Sequence, residues 1–244
     1  MVLVAPELDK SATVRKDRGM ITGIGTGIYT PREVSHLTGL SPSRVTRWVS
    51  GYSFRRGETV RQSGPLIVRN SDHGPSLTFL DLVEVLFVRA FLEHGVTMKT
   101  IRTAAAKAVD LFKTHHPFAV KRFETDGRAV FARLIQGDPP TEQVMNVVDG
   151  QAVFPEVVCR YLKQLDYDVA GEAARWWPLG KTEPVVVDPN VSFGVPVTTE
   201  GYVPTQSVFG ALRAGETEQS VANWYGISID EVRAAEKFEQ RLAA

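Results

Sequence analysis

Apolar and polar side chains between Tyr29 and Tyr52 follow two runs of helical spacing that are separated by a glycine. Each run opens on a hydroxyl residue followed by proline, Thr30-Pro31 and Ser41-Pro42, which is a side-chain cap followed by a proline at the first helical position. Gly39 lies where the first run ends and suits the left-handed turn after a helix. The apolar residues that fall one helical turn apart or on one face are Val34, Leu37, Val45, Trp48 and Val49. The pattern predicts a short helix, a glycine turn and a second helix.

The second predicted helix carries a polar face opposite its apolar one, formed by Ser43, Arg44, Arg47 and Ser50. Arginine can donate two hydrogen bonds to a guanine edge or to phosphate, and serine hydroxyls can bind either group. This arrangement is typical of a helix-turn-helix that recognises DNA. The alternative is a pair of ordinary amphipathic helices with a solvated face. The local charge favours the DNA-binding interpretation, since residues 41–69 contain six arginines and a single acid, Glu58.

The segment after the second helix, residues 50–70, combines aromatic, basic and glycine residues with short β-prone pieces. It is typical of a two-stranded wing beside a recognition helix, with Arg55 and Arg56 as candidates for phosphate contact. The alternative is a plain basic loop. The two segments together predict these DNA-contacting residues: Thr30, Ser41, Ser43, Arg44, Arg47, Tyr52, Arg55 and Arg56.

Two longer helices and a small antiparallel sheet are predicted next. Thr78 caps a helix from Phe79 to Glu93 that is apolar on nearly every side, so we expect it to be the core helix of the N-terminal domain. Thr97 caps the following helix, Met98 to Phe112. Two hairpin turns and one more helix are predicted at Asp126-Gly127, Asp149-Gly150 and Pro155–Leu165. The fold class is therefore α+β and mainly helical.

Trp176-Trp177 permits two interpretations. The one we favour is that the pair anchors its segment onto the domain core. The other is an exposed aromatic site for a ligand or a partner.

The last 60 residues predict a strand followed by three short helices. The helix starts lie at Pro204-Thr205, Thr217 and Ser228, with Gly215 and Gly226 between the helices. The apolar positions expected to hold this module together are Val208, Leu212, Val221, Trp224, Ile227, Val232 and Phe238. The outer face is expected to carry Asp230, Glu231, Glu236 and Glu239, which suits a protein partner better than DNA. The predicted partner-binding residues are Glu216, Glu218, Asp230, Glu231 and Glu236.

Composition and charge limit which functions and cell compartments are expected for this protein. The formal net charge is zero, but residues 181–244 carry five basic and nine acidic side chains, opposite in sign to the first helices. Cys159 is the only cysteine in the sequence, and no signal peptide or membrane span is apparent, so we expect a cytoplasmic protein. The sequence has no paired catalytic carboxylates, nucleophile elbow or metal-ligand spacing, and adjacent His115 and His116 would point in different directions. We therefore predict no enzymatic activity, no metal and no cofactor.

Two stretches carry a resemblance to known families. Residues 27–52, and especially Arg47-Trp48 and Gly51-Tyr52, resemble the MerR-like winged helix-turn-helix. Residues 187–238 resemble a small helical domain of a family long labelled as of unknown function, which occurs in VapB-type antitoxins. The matching positions are Asp188-Pro189, Gly194, Pro196, Pro204, Gly215 and Tyr225-Gly226. The chain departs from that family at Glu200-Gly201-Tyr202, where the family has Gly-Thr-Arg.

The resemblance implies an antitoxin of a two-gene module. Such a protein would bind its own promoter as double-stranded DNA through the N-terminal domain and neutralise a PIN-domain ribonuclease by direct contact. We expect a homodimer, because helix-turn-helix proteins commonly recognise two half-sites. The alternative is a MerR-like regulator that senses a small ligand and has no toxin partner. The predicted divisions are an arm (1–22), the winged helix-turn-helix domain (23–115), a middle region (116–183) and a C-terminal helical domain (184–244).

Overall fold

The computed structural model describes residues 27–67, 76–123 and 161–243. The first of these ranges contains α1 (Pro31–Thr38), α2 (Pro42–Ser50), β1 (Tyr52–Arg56) and β2 (Thr59–Ser63). The second contains α3 (Phe79–Glu93) and α4 (Met98–Phe112). The third contains β3 (Leu165–Tyr167), β4 (Ala173–Trp176), β5 (Val185–Val186), β6 (Val197–Thr198), α5 (Thr205–Arg213), α6 (Glu218–Tyr225) and α7 (Ile229–Ala243). The strands form three antiparallel pairs, so the mainly helical α+β prediction is confirmed.

The predicted helix-turn-helix is present with the predicted caps. The Thr30 hydroxyl accepts from the backbone N–H of Glu33, whose carboxylate returns to Thr30, and Gly39 ends α1 at a φ of 66°. The Ser41 hydroxyl caps α2 by accepting from the backbone N–H of Arg44, without a returning carboxylate. An arginine of α3, Arg89, donates from its guanidinium to the carbonyl of Thr38 and so ties the turn to the core helix.

Helix α3 is the centre of the main core, as its apolar composition predicts. Its aromatic residues pack against Phe118 and Phe123, which follow α4. Two acids of α3 are also buried. Glu84 accepts the backbone N–H of Phe118 at 2.7 Å, and burial raises the pKa of this carboxyl well above its ordinary value. Asp81 completes the cap of α3 and faces the half-buried His116 at 3.7 Å.

The C-terminal helices join the same core. Val185, Val187, Ala234 and Phe238 lie in the same core as the buried side chains of α1 and α3, and the Tyr29 hydroxyl donates to the carbonyl of Gly194 at 2.8 Å. Burial raises the pKa of this tyrosine above its usual range. A second, smaller core lies between α5, α6 and α7. The helix-turn-helix region and the C-terminal module therefore share packing, while the predicted domain boundaries stay a prediction.

The structure decides where the tryptophans of the C-terminal part of the chain lie. Trp176 is 5 % exposed in the main core and Trp177 donates to Asp166 at 2.8 Å, which agrees with an anchoring role for the pair. Trp224 was expected in the core of the C-terminal module, but this is wrong: the side chain is exposed because Val221 and Ala222 form the buried face of α6.

The two predicted hairpin turns and Cys159 lie outside the described residues. No helix in the described ranges is long and apolar enough to cross a membrane.

Candidate nucleic-acid interface

Helix α2 is anchored by its apolar face, and this leaves its arginine face exposed. Val45, Trp48 and Val49 are buried, and the carbonyl of Trp48 accepts from the backbone N–H groups of Leu66 and Ile67. Arg44 and Arg47 lie on the opposite side and are exposed. The helix is therefore held from behind by side chains and by the segment that follows β2, which leaves its opposite face open.

The predicted wing exists as the hairpin β1–β2. All of its ladder residues except the half-buried Ser63 are exposed. Gly51 makes the corner between α2 and the hairpin with a φ of 73°. A side chain there would place its Cβ 2.5 Å from the carbonyl oxygen of Ser63, so only glycine allows the wing to fold back against the helix.

The register divides the wing into two different faces. Alternate residues of a strand point to opposite sides, and the pairs Phe54–Arg61 and Arg56–Thr59 lie directly across from each other. One face therefore carries Tyr52, Phe54, Arg56 and Arg61, and the ring centroids of Tyr52 and Phe54 are 5.9 Å apart. The other face carries Arg55 and Val60.

The aromatic and basic face of the wing is continuous with the exposed face of α2. The guanidinium of Arg47 lies over the ring of Tyr52, 5.5 Å from its centroid. We call the surface formed by Arg44, Arg47, Tyr52, Arg56 and Arg61 the arginine surface. Within the described ranges, none of its four arginines has a carboxylate within 4.0 Å. Such unneutralised guanidinium groups can bind phosphates or base edges.

The structure refines the residues expected to touch DNA, and all of them remain predictions. Arg61 was missed by sequence reasoning, and only the strand register could have revealed it, because it lies across from Phe54. Arg55 lies on the face turned away from the arginine surface. Thr30 and Ser41 are exposed, but their hydroxyls cap α1 and α2. Ser43 lies beside Ser41 with 3.3 Å between the hydroxyl oxygens.

The acidic face of the C-terminal module differs from the prediction at two residues. Glu231 was expected to contact a partner, but it is buried, because its carboxylate accepts from the backbone N–H groups of Glu200, Gly201 and Ser228. Glu239 was expected on the outer face, but it is buried, where it accepts from the Thr205 hydroxyl.

The other predicted acids of the module lie at or near the surface. Glu218 pairs with Arg233 at 2.9 Å, and Glu236 accepts from Gln240. Glu216 and Asp230 lack a basic partner within 4.0 Å among the described residues. Their role in partner binding stays a prediction.

A cleft of about 580 Å³ separates α1 from the C-terminal module. His36 of α1 and Glu239 of α7 face each other across it, with 3.9 Å between Nε2 and Oε2. The exposed ring of Phe193 lies at its edge, on a turn whose backbone has a φ of 57°. The cleft thus adjoins the first helix of the helix-turn-helix on one side and the C-terminal helices on the other.

Two family models match the two ends of the chain. One, described as "Putative DNA-binding HTH domain", matches residues 27–105, and one described as "Protein of unknown function (DUF433)" matches residues 185–238. A curated relative, "Putative antitoxin VapB45" of Mycobacterium tuberculosis (strain ATCC 25618 / H37Rv), is 30% identical over 221 residues, which are 85% of this chain and 92% of the relative.

A solved structure also resembles the whole arrangement. The X-ray crystal structure of Rv2018 from Mycobacterium tuberculosis matches with a TM-score of 0.66 and 28% sequence identity, covering 85% of this chain and 96% of that chain. The helix-turn-helix and the C-terminal module therefore occur together in a known fold. The chain belongs to the family of the antitoxin VapB45, with a helix-turn-helix domain near its N-terminal end and a DUF433 domain near its C-terminal end.

Proposed function

We propose that this protein is a DNA-binding antitoxin that represses its own operon and neutralises a PIN-domain ribonuclease, and that it is not an enzyme. The observation that carries the DNA-binding half is the arginine surface, where α2 and one face of the wing present four arginines without a carboxylate within 4.0 Å among the described residues. A matching antitoxin relative and a matching helix-turn-helix model support the same function.

DNA recognition would divide between the two elements. Arg44 and Arg47 would lie in the major groove, because α2 is the second helix of the helix-turn-helix and this helix enters the groove in such proteins. Arg56 and Arg61 would contact the phosphate backbone beside it, where they fix register without reading sequence. We propose a homodimer, so that two copies of α2 reach two half-sites of the promoter.

Toxin binding would fall to the C-terminal module. Residues 181–244 have four more acidic than basic side chains, whereas a nuclease that binds RNA needs a basic surface. Opposite charge steers two such proteins together and excludes partners of like charge. The module and the helix-turn-helix share a core through α7, so toxin and DNA would be bound by two parts of the chain that pack together.

The test is a co-purification followed by a DNA-binding assay. The chain is expressed with the product of the adjacent gene and purified through a tag on one of them. A promoter gel shift is then run with and without the partner, beside an unrelated DNA fragment of the same length. We expect a stable complex and a promoter-specific shift. The absence of both would refute the proposal, and a shift without any complex would leave only a DNA-binding regulator.

A further inference from the structure

Three aromatic side chains of the C-terminal module are exposed around two neighbouring turns. Trp224 is 62% exposed and Tyr202 is 55% exposed, and Tyr225 also lies at the surface. Trp224 and Tyr225 end α6, whereas Tyr202 lies in the turn that follows β6. Large aromatic rings gain most from burial, so a group of them at the surface marks an interaction site. We call these three residues the aromatic surface.

A buried carboxylate holds the two turns side by side. Glu231 is 1% exposed, and its Oε1 accepts from the backbone N–H groups of Glu200 at 2.8 Å and Gly201 at 3.3 Å. Its Oε2 accepts from the backbone N–H of Ser228 at 3.0 Å. Burial favours the neutral acid, but these hydrogen bonds prevail and lower the pKa of the Glu231 carboxyl. Glu231 is therefore a positioning residue for both turns.

The turn that presents Tyr202 is both tightly packed and strained. A Cβ on Gly201 would lie 2.2 Å from Cγ2 of Ile227, so the two turns approach as closely as glycine allows. Tyr202 has a φ of 51°, a left-handed value that is unfavourable for a residue with a side chain. The fold thus maintains a strained backbone whose ring points into solvent. Strain of this kind is typical of binding sites.

The charges beside these turns indicate the chemistry of what binds there. Glu200 and Asp230 are exposed and adjoin the two turns. Neither has a basic side chain within 4.0 Å in the part of the chain that the structure describes. Aromatic faces beside free carboxylates favour guanidinium and ammonium groups, which can lie over a ring while pairing with an acid.

We propose that the aromatic surface is where the toxin docks, through a face of the toxin that is rich in arginine and lysine, with Trp224 as the residue that contributes most. This inference rests on the proposed function, because it assigns the toxin contact to particular side chains.

The experiment measures binding of the purified full chain to the purified product of the adjacent gene by calorimetry. We expect Trp224→Ala to weaken the complex by about 30-fold or more, the loss typical of an interface hot spot. Tyr202→Gly should weaken it while keeping thermal stability, because glycine removes the ring and relieves the strain at that φ. Phe193→Ala is the matched control, since this ring is 69% exposed but lies at the cleft, and it should change affinity by less than about threefold.

The remaining outcomes of the binding experiment separate a failure of this inference from a failure of the proposed function. If the wild-type chain does not bind the gene product, the proposed function and this inference both fail. If the wild type binds and Trp224→Ala binds equally well, only this inference fails. If Phe193→Ala weakens toxin binding and Trp224→Ala does not, the toxin contacts the cleft and this inference fails. A homodimer that dissociates with Trp224→Ala in the absence of toxin assigns the surface to a second copy, which also overturns it.

Discussion

The two faces of the wing lead to a prediction that separates DNA contact from general basicity. Arg56 and Arg61 share a face with Tyr52, which touches Arg47 of the recognition helix, whereas Arg55 points to the other side. The double variant Arg56→Ala/Arg61→Ala should therefore weaken promoter binding and reduce its salt dependence. Arg55→Ala removes one positive charge from the same hairpin, half of what the double variant removes, and should do neither.

The expected magnitude comes from counterion release. Each phosphate that a basic side chain neutralises contributes about 0.9 to the slope of log affinity against log salt, so losing two contacts should lower the slope by about 1.8 per bound protomer. Over a fourfold salt range, from about 50 to about 200 mM, the wild type should then lose about 12-fold more affinity than the double variant.

The assay is fluorescence anisotropy of a labelled promoter fragment, titrated at four or more salt concentrations. Circular dichroism melting of each variant checks that the exposed substitutions leave the fold intact. An unchanged slope in Arg56→Ala/Arg61→Ala would refute the assignment of the wing face. A reduction of the slope by about 0.9 in Arg55→Ala, equal per charge removed, would show that any positive charge on the hairpin serves and that the orientation of the face is irrelevant.

Two further predictions concern stability. Glu84 has a raised pKa in the folded protein, so its contribution to the free energy of unfolding is fully present below its ordinary pKa of about 4.5 and is lost as pH rises through the pKa of the folded state. Because Glu84→Gln does not ionise, the variant should gain stability relative to wild type by up to about 1.4 kcal/mol per pH unit between these two pKa values. Urea unfolding from pH 5 to pH 9 measures this, and a constant difference would contradict it. Gly201→Ala should destabilise by about 1–3 kcal/mol because its Cβ meets Ile227. Gly210→Ala, in an open position of α5, should instead stabilise by about 0.5–1 kcal/mol, and equal effects in thermal melts would refute the packing argument.

Local signals explain why the helix-turn-helix could be predicted so closely. The caps at Thr30 and Ser41, the prolines that follow them and the turn at Gly39 are determined by neighbouring residues, so their structure follows from short-range chemistry. The apolar composition of α3 likewise predicts burial on all sides, because every face carries a large side chain.

Long-range contacts explain what the sequence could not provide. Glu231 sits in the first turn of an amphipathic helix and has the spacing of a surface acid. Its burial depends on backbone N–H groups about 30 residues away, which no local pattern predicts. Arg61 needed the strand register to be placed beside Phe54. Trp224 has helical spacing with Val221, yet the core between α5 and α7 is filled without it.

The central claim is that the arginine surface holds DNA, while the C-terminal module binds a protein independently. The most direct test is promoter affinity of Arg44→Ala/Arg47→Ala, measured with toxin affinity on the same preparation. Arg213→Ala in α5 is the control for loss of positive charge away from the arginine surface. We predict a loss of promoter affinity of at least about 30-fold with unchanged toxin binding, since each good bidentate contact contributes about 1–3 kcal/mol. Promoter affinity equal to that of wild type and of Arg213→Ala would contradict the account.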